Sequence, residues 1–132
     1  MRIIVDASAL IAVIANEPAK DSIIEATQGA ELIAPPSVHW EIGNAFSSML
    51  KRKLITGDQA LKCLEIYRQI PIHFEDVELD ESLRLAAELN IYAYDAYLLR
   101  CALKYSAPIL TLDKRMRFLA KQKFIDIREV SA

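Results

Sequence analysis

Glycine and proline are scarce in this sequence, three and five among 132 residues, which excludes collagen-like and linker-dominated architectures. Cysteine is scarcer still. Cys63 and Cys101 lie far apart with no CxxC spacing, which excludes a structural zinc site. A single disulfide between them stays open, with two buried thiols as the expected state. No long hydrophobic run is present: the most apolar stretch, 7–15, is far short of the roughly 20 residues that a membrane span needs. Neither sign of charge dominates. Sixteen Lys and Arg against eighteen Asp and Glu leave −2, without the basic footprint of a nucleic-acid binder. No signal peptide is legible, since Met1, Arg2 and Ile3 lead straight into a short apolar run that meets an acid at Asp6. The expectation is a reduced, cytoplasmic protein. Phosphate cradles of the GxxxxGK[ST] or GxGxxG kind are absent, as is a GxSxG elbow. His39 and His73 follow no HExxH or HxH spacing. His73, between Ile72 and Phe74, reads as structural. His39, beside Trp40 and Glu41, reads as packing, with a place in a site as the alternative.

What is present is apolar. Hydrophobic residues make up 53% and charged residues 26%, enough for a core without staples in a length that suits one domain. Short β-branched runs alternate with longer helical patterns. Strand candidates cover 2–6, 31–34, 71–74, 107–112 and, weakly, 125–127. Helices are expected over 7–15, 19–28, 37–53, 56–69, 79–89, 94–105 and 114–123. Ser8 is available to cap the first helix, and Thr56 with Gln59 matches a capping box. In 37–53, Val38, Ile42, Ala45 and Met49 form an apolar stripe beside a polar one of Ser37, Glu41, Asn44 and Ser48. In 79–89, Leu79, Leu83 and Ala86 share one face. The alternation predicts an α/β fold, a three-layer α/β/α sandwich with helices on both faces of a parallel sheet.

In such sheets ligands bind at the carboxyl ends of the strands. Asp6 and Asp113 each follow a strand candidate directly, so both are expected at one edge. Two further acids stand among apolar or small residues, Glu41 in HWEIGN and Asp95 in YDAYLL. Other acids, such as Glu75, Asp76 and Glu78, cluster in patterns that read as solvated. Alone, each of the four reads equally as a cap or a local ion-pair partner, and Asp95 in particular as the N-cap of its helix. Together they read differently. Asp95 opens the helix that leads into the Asp113 strand, and Glu41 lies on a polar stripe. Two carboxylates about 5 Å apart, at an effective dielectric of about 20, repel by about 3 kcal/mol. No Lys or Arg adjoins Asp6, Glu41 or Asp95 in sequence. A hard divalent cation is the simplest resolution, and all-oxygen ligation favours Mg²⁺ or Mn²⁺ over zinc.

The segments IIVDASAL, WEIGNAF, YDAYLLRCA and PILTLDKRM, in this order, resemble those of the PIN-domain ribonucleases. The likeness is greatest to the toxins of VapBC-type (type II) toxin–antitoxin pairs, and it covers residues 1–132 as a single PIN domain. The resemblance implies a central parallel sheet of about five strands. It implies a metal-dependent endoribonuclease with Asp6, Glu41, Asp95 and Asp113 as its acidic quartet. Asp6 and Asp95 would be direct ligands of Mg²⁺ or Mn²⁺. Glu41 and Asp113 would act through water or a second ion. Ser8, Asn44 and Thr111 match supporting polar positions, with Asn44 on the same side of the helix as Glu41. One departure stands out: many relatives carry another acid soon after the fourth, whereas Lys114 and Arg115 follow Asp113 here. That leaves a second metal site open.

The implied chemistry is hydrolysis of an RNA phosphodiester to a 5′-phosphate and a 3′-hydroxyl by a metal-activated water, with Asp95 or Glu41 accepting its proton. A polyanion also needs positive charge. Residues 114–128 hold six basic side chains against one acid, Asp126, and Lys114, Arg115, Arg117 and Lys121 are the candidate RNA contacts. Lys51, Arg52 and Lys53 read first as favourable charge at a helix C-terminus. The resemblance further implies a cognate antitoxin covering a groove near the first helices. Leu10, Ile11, Val13, Ile14 and Trp40 are candidate apolar contacts, and core packing explains them equally well. It also implies a homodimer or a toxin–antitoxin hetero-oligomer, with no membrane involvement. Two other readings remain. One is a catalytically silent PIN-fold module that binds nucleic acid or protein, against which the complete quartet argues. The other is an Asp-nucleophile phosphohydrolase, against which Ser8 argues by standing where a second carboxylate is needed.

Overall fold

The run Ile3-Ile4-Val5 becomes the centre of a parallel sheet, and its side chains are almost wholly buried, as a strand covered on both faces requires. The computed structural model describes residues 1–130. In chain order the elements are β1 (Arg2–Val5), α1 (Ala7–Ile14), α2 (Lys20–Thr27), β2 (Glu31–Ala34), α3 (Ser37–Lys51) and α4 (Gly57–Gln69). They continue with β3 (Ile72–Phe74), α5 (Leu79–Leu89), α6 (Ala93–Tyr105), β4 (Ile109–Leu110) and α7 (Lys114–Gln122).

The strand order is β3-β2-β1-β4, and every pairing is parallel. Ile4 pairs with Ile33 on one side and Ile109 on the other. The order reverses between β1 and β4, so the topological switch point lies there. Helices α1 to α4 belong to crossovers that step from β1 to β2 to β3. Helices α5 and α6 belong to the crossover that returns to β4. Right-handed connections place these two groups on opposite faces. The packing agrees, with α1 against α2, α3 and α4, and α5 against α6, which lies on β1.

Among the described residues four strands form, where about five were expected. The tail contributes one parallel bridge, Ile109 to Ile127, held by Ile109 N–H to the Asp126 carbonyl and Arg128 N–H to the Ile109 carbonyl. β4 itself pairs over two residues only, because beyond Leu110 the chain turns to satisfy side chains of β1's exit, as described below.

Local chemistry explains the helix starts. Asp6, not Ser8, caps α1: its carboxylate accepts from Ala9 N–H. Thr56 and Gln59 form both halves of the expected capping box on α4. Tyr92 occupies the N-cap position of α6, so Asp95 is not the cap but an acid in the first turn, where the helix dipole favours it. On α5 the leucines of the apolar face are not the buried ones. Leu79 and Leu83 are exposed, while Ser82 and Leu85 are buried. The Ser82 hydroxyl can turn inward because it donates to the Glu78 carbonyl one turn back. Both cysteines are free, Cys101 buried and Cys63 half-buried. Among the described residues no helix is long and apolar enough to cross a membrane.

Candidate active site

Asp6 leaves β1 at its carboxyl end, and Thr111 follows β4 beside it. Both oxygens of Asp6 are spoken for. Oδ1 accepts from the Ser8 hydroxyl (2.7 Å) and from Ala9 N–H (3.1 Å), and Oδ2 accepts from the Thr111 hydroxyl. The network continues outward. Leu112 N–H donates to Ser8 Oγ (3.0 Å), and Asp113 N–H donates to Thr111 Oγ1 (3.1 Å). Asp113 in turn caps α7 by accepting from Arg115 N–H at 2.9 Å. Two hydroxyls thus clamp the Asp6 carboxylate and the loop that carries Asp113 into one unit. Thr111 is fully buried.

Glu41 comes from the second turn of α3 and Asp95 from the first turn of α6. With Asp6 and Asp113 they line one pocket of about 160 Å³, completed by Ala7, Ser8, Tyr94, Leu98 and Met116. Four carboxylates from four parts of the chain therefore share one small space. The protonation of Asp6, Glu41 and Asp95 reflects it. Burial raises the Asp6 carboxyl, against the lowering effect of the Thr111, Ser8 and Ala9 hydrogen bonds, and the Asp113 charge raises it further. Burial, helped by the charges of Asp6 and Asp95, pushes Glu41 up to about 7. Asp95 is raised as well, mainly by burial, with Arg115 opposing and Asp113 adding to the shift.

The structure revises several expected roles. Asn44 does not line the pocket. It lies three residues past Glu41, and that further rotation about α3 turns it to solvent. The Arg115 guanidinium, expected as an RNA contact, pairs with Asp95 at 3.3 Å. Arg117, also expected as an RNA contact, makes two hydrogen bonds to Glu129 (2.9 and 2.7 Å). Lys123 pairs with Glu88 at 3.0 Å. Lys114 and Lys121 remain exposed and without an ion pair among the described residues. His39 packs rather than lining the site. Its Nδ1 shares a hydrogen bond with the Tyr67 hydroxyl (2.9 Å), and its ring meets those of Trp40 and Phe74 edge-on. Tyr94, Leu98 and Met116 carry no signal in the sequence, since nothing marks an apolar wall residue before the pocket is known.

The donor chemistry suits a hard cation: every charged group facing the pocket from the quartet is a carboxylate, and their mutual repulsion is relieved by positive charge. Among the described residues no three His, Cys, Asp or Glu side chains form a ready-made metal cage. The acids line the walls without closing on one point.

A family model, the PIN domain, matches residues 3–122. No curated protein matches the chain. Among solved structures, the chain is similar to PAE2754 from Pyrobaculum aerophilum, at 27% identity over 90% of this chain and 87% of that one, with a TM-score of 0.67. It shares its fold with VapBC2 from Rickettsia felis, a complex bound to a DNA fragment from its promoter, at 15% identity, 99% and 100% coverage and a TM-score of 0.72. It also shares it with VapC20 from Mycobacterium tuberculosis, described as a Sarcin-Ricin loop cleaving toxin, at 16% identity, 88% and 93% coverage and a TM-score of 0.64. With the family model spanning nearly the whole sequence and the parallel sheet in place, the chain belongs to the PIN domain family.

Proposed function

We propose that this chain, as a single PIN domain, is a metal-dependent endoribonuclease and the toxin of a toxin–antitoxin pair. The observation that carries the reading is the convergence of Asp6, Glu41, Asp95 and Asp113 on one pocket at the switch point of the sheet. Mg²⁺ or Mn²⁺ would be held by Asp6 and Asp95, with Glu41 and Asp113 reaching it through water. Mg²⁺ commonly binds one or two carboxylates and keeps several waters, so a site without a closed cage suits it. Bound there, such an ion lowers the pKa of a water and neutralises charge on the phosphodiester oxygens.

The chain's own residues then have distinct tasks. Asp6 is fixed by Ser8, Ala9 and Thr111, so it cannot swing away from the pocket. Glu41 or Asp95, both lining the pocket, would accept the proton of the attacking water. Lys114 and Lys121 supply phosphate contacts on the helix that begins beside the pocket. Tyr94, Leu98 and Met116 restrict water on one side.

The antitoxin reading has its own support. An apolar pocket of about 300 Å³ lies between α1, α2 and the α4–β3 junction, lined by Leu10, Val13, Ile23, Ile24, Leu32 and Ile70 among others. It suits an apolar segment of a cognate antitoxin. Trp40, 73% exposed, lies outside that lining.

The test is cleavage of total cellular RNA by purified, antitoxin-free protein with Mg²⁺, Mn²⁺ or EDTA, and with Asp6→Asn. Discrete metal-dependent cuts, lost in the variant, are expected. Asn still caps a helix, so the variant keeps its fold. Cuts that persist in EDTA, or in Asp6→Asn, overturn the metal mechanism. No cuts at all from folded protein favour a silent binding module.

A further inference from the structure

We propose that Phe118 is a base-stacking residue: an unpaired nucleotide of the RNA lies on its ring while Lys114 and Lys121 hold the flanking phosphates. The proposal rests on the nuclease reading and names the surface beside the pocket that receives the strand.

Helix α7 divides cleanly into two faces. Met116, Leu119 and Ala120 are buried and fill the core side. Lys114, Phe118 and Lys121 fall within about 60° of one another at 3.6 residues per turn, and all three are exposed. Phe118 is 60% exposed, on a helix whose core contacts are already made. A large ring in that position contributes little to folding. The neighbouring basic residues divide in the same way. Arg117 and Lys123 are paired with Glu129 and Glu88, so their charge is used inside the fold. Lys114 and Lys121 carry no such pair among the described residues.

An aromatic ring between two unpaired cations is the arrangement that binds single-stranded nucleic acid. Stacking accepts any base, and the cations neutralise the backbone on either side. Asp113 lines the pocket and caps α7, so the helix that carries this face begins at the pocket. Phe118 lies about 7 Å further along the helix axis, at 1.5 Å per residue, within reach of a neighbouring nucleotide. A duplex has no free base face to offer the ring, so the occupant is an unpaired strand. A protein partner is the competing occupant, and the two unpaired lysines favour the polyanion.

The experiment is equilibrium binding in EDTA, so that cleavage plays no part. The probe is a short single-stranded RNA carrying a fluorescent purine analogue. Binding by the unsubstituted protein should quench the analogue. Phe118→Leu should bind about tenfold more weakly, the worth of one stacked base, and lose the quench. Phe118→Trp should keep both. Lys114→Gln with Lys121→Gln should flatten the log–log salt slope by about 1.4, two phosphates' worth, and keep the quench at saturation. Circular dichroism confirms that each variant is folded. Failure of the unsubstituted protein to bind the probe, or a Phe118→Leu variant that binds and quenches normally, overturns the proposal and leaves metal-dependent cleavage standing. A Phe118→Leu variant altered only in its oligomeric state also overturns it, since the face is then a protein interface. Stacking that depends on Phe118 in a protein without cleavage in Mg²⁺ or Mn²⁺ supports the proposal and removes the nuclease reading.

Discussion

Thr111 donates its hydroxyl hydrogen to the Asp6 carboxylate across 105 positions of sequence, joining the exits of the two strands that flank the switch point. The same hydroxyl oxygen accepts from Asp113 N–H. One side chain therefore orients one acid of the pocket and positions the backbone of another.

Replacing Thr111 by Val keeps the shape but removes both bonds. Asp6 Oδ2 loses its only donor among the described residues, and the Asp113 N–H is left short of a partner. An unsatisfied group of this kind costs about 1–3 kcal/mol when buried. Thermal denaturation should show Thr111→Val destabilised by that order and Thr111→Ser by much less. Loss of the bond also removes an influence that lowers the Asp6 carboxyl, so its pKa should rise further in the Val variant. Equal melting of the Val and Ser variants would show that the hydroxyl does not support the site.

Glu41 makes stability depend on pH. Its carboxyl titrates at about 7 in the folded chain, against an ordinary glutamate value of 4.5 in the unfolded one. Between those values the folded state holds a proton that the unfolded state has released. Stability of the metal-free protein should therefore fall as pH rises from about 4.5 to about 7, and level off above. The raised carboxyls of Asp6 and Asp95 act in the same direction. Glu41→Gln has no such proton to lose, so its melting curve should be flatter with pH and lie higher at pH above about 7. Mg²⁺ or Mn²⁺ should raise the melting temperature most at that same high pH, where the carboxylates are charged. Melting in EDTA that ignores pH in both proteins would count against a shared acidic pocket.

The four acids are legible in the sequence because each breaks a local pattern. Asp6 and Asp113 end apolar runs, and Glu41 and Asp95 interrupt helices of small and apolar residues. Their convergence then follows from the order of strands and helices, which needs no side-chain detail. What the sequence hides is decided at long range. The basic segment 114–128 looks free, yet Glu129, Glu88 and Asp95 reach it from positions 12, 35 and 20 residues away. Asn44 shares the polar stripe with Glu41, but a rotation of three residues moves it out of the pocket. The face of α5 is misleading because a serine, satisfied by its own helix, can be buried where leucines are not. The fifth strand shrinks to a single bridge, Ile109 to Ile127, after a left-handed turn at Phe124 that no glycine marks in the sequence.

That turn yields a further prediction. Phe124 follows the end of α7 at φ 58°, in the left-handed region, and is 95% exposed. Its N–H donates to the Lys121 carbonyl, and Ile125 N–H donates to the Ala120 carbonyl, which completes a Schellman motif. Glycine is the usual residue there, since a Cβ makes this conformation costly by about 1 kcal/mol. Phe124→Gly should raise the melting temperature slightly, by up to about 0.6 kcal/mol after the greater freedom of glycine in the unfolded chain is counted. A lower melting temperature would mean that the exposed ring stabilises the fold through contacts along the Leu103 to Asp126 surface it adjoins.

Arg115 places two demands on the pocket that pull in opposite directions. Its guanidinium sits 3.3 Å from Asp95 and offsets part of the carboxylate charge there. A divalent ion must compete with it. An exposed pair of this kind contributes at most about 1 kcal/mol. Arg115→Ala should therefore tighten Mn²⁺ binding by up to about fivefold, measured by calorimetry. The same change removes a positive charge from the approach to the pocket, so RNA binding in EDTA should weaken and lose part of its salt dependence. A variant that merely loosened the fold would weaken both. Tighter metal with weaker RNA is the signature of a guanidinium that screens the acids until substrate and ion arrive together, and weaker metal binding in a folded variant would rule that role out.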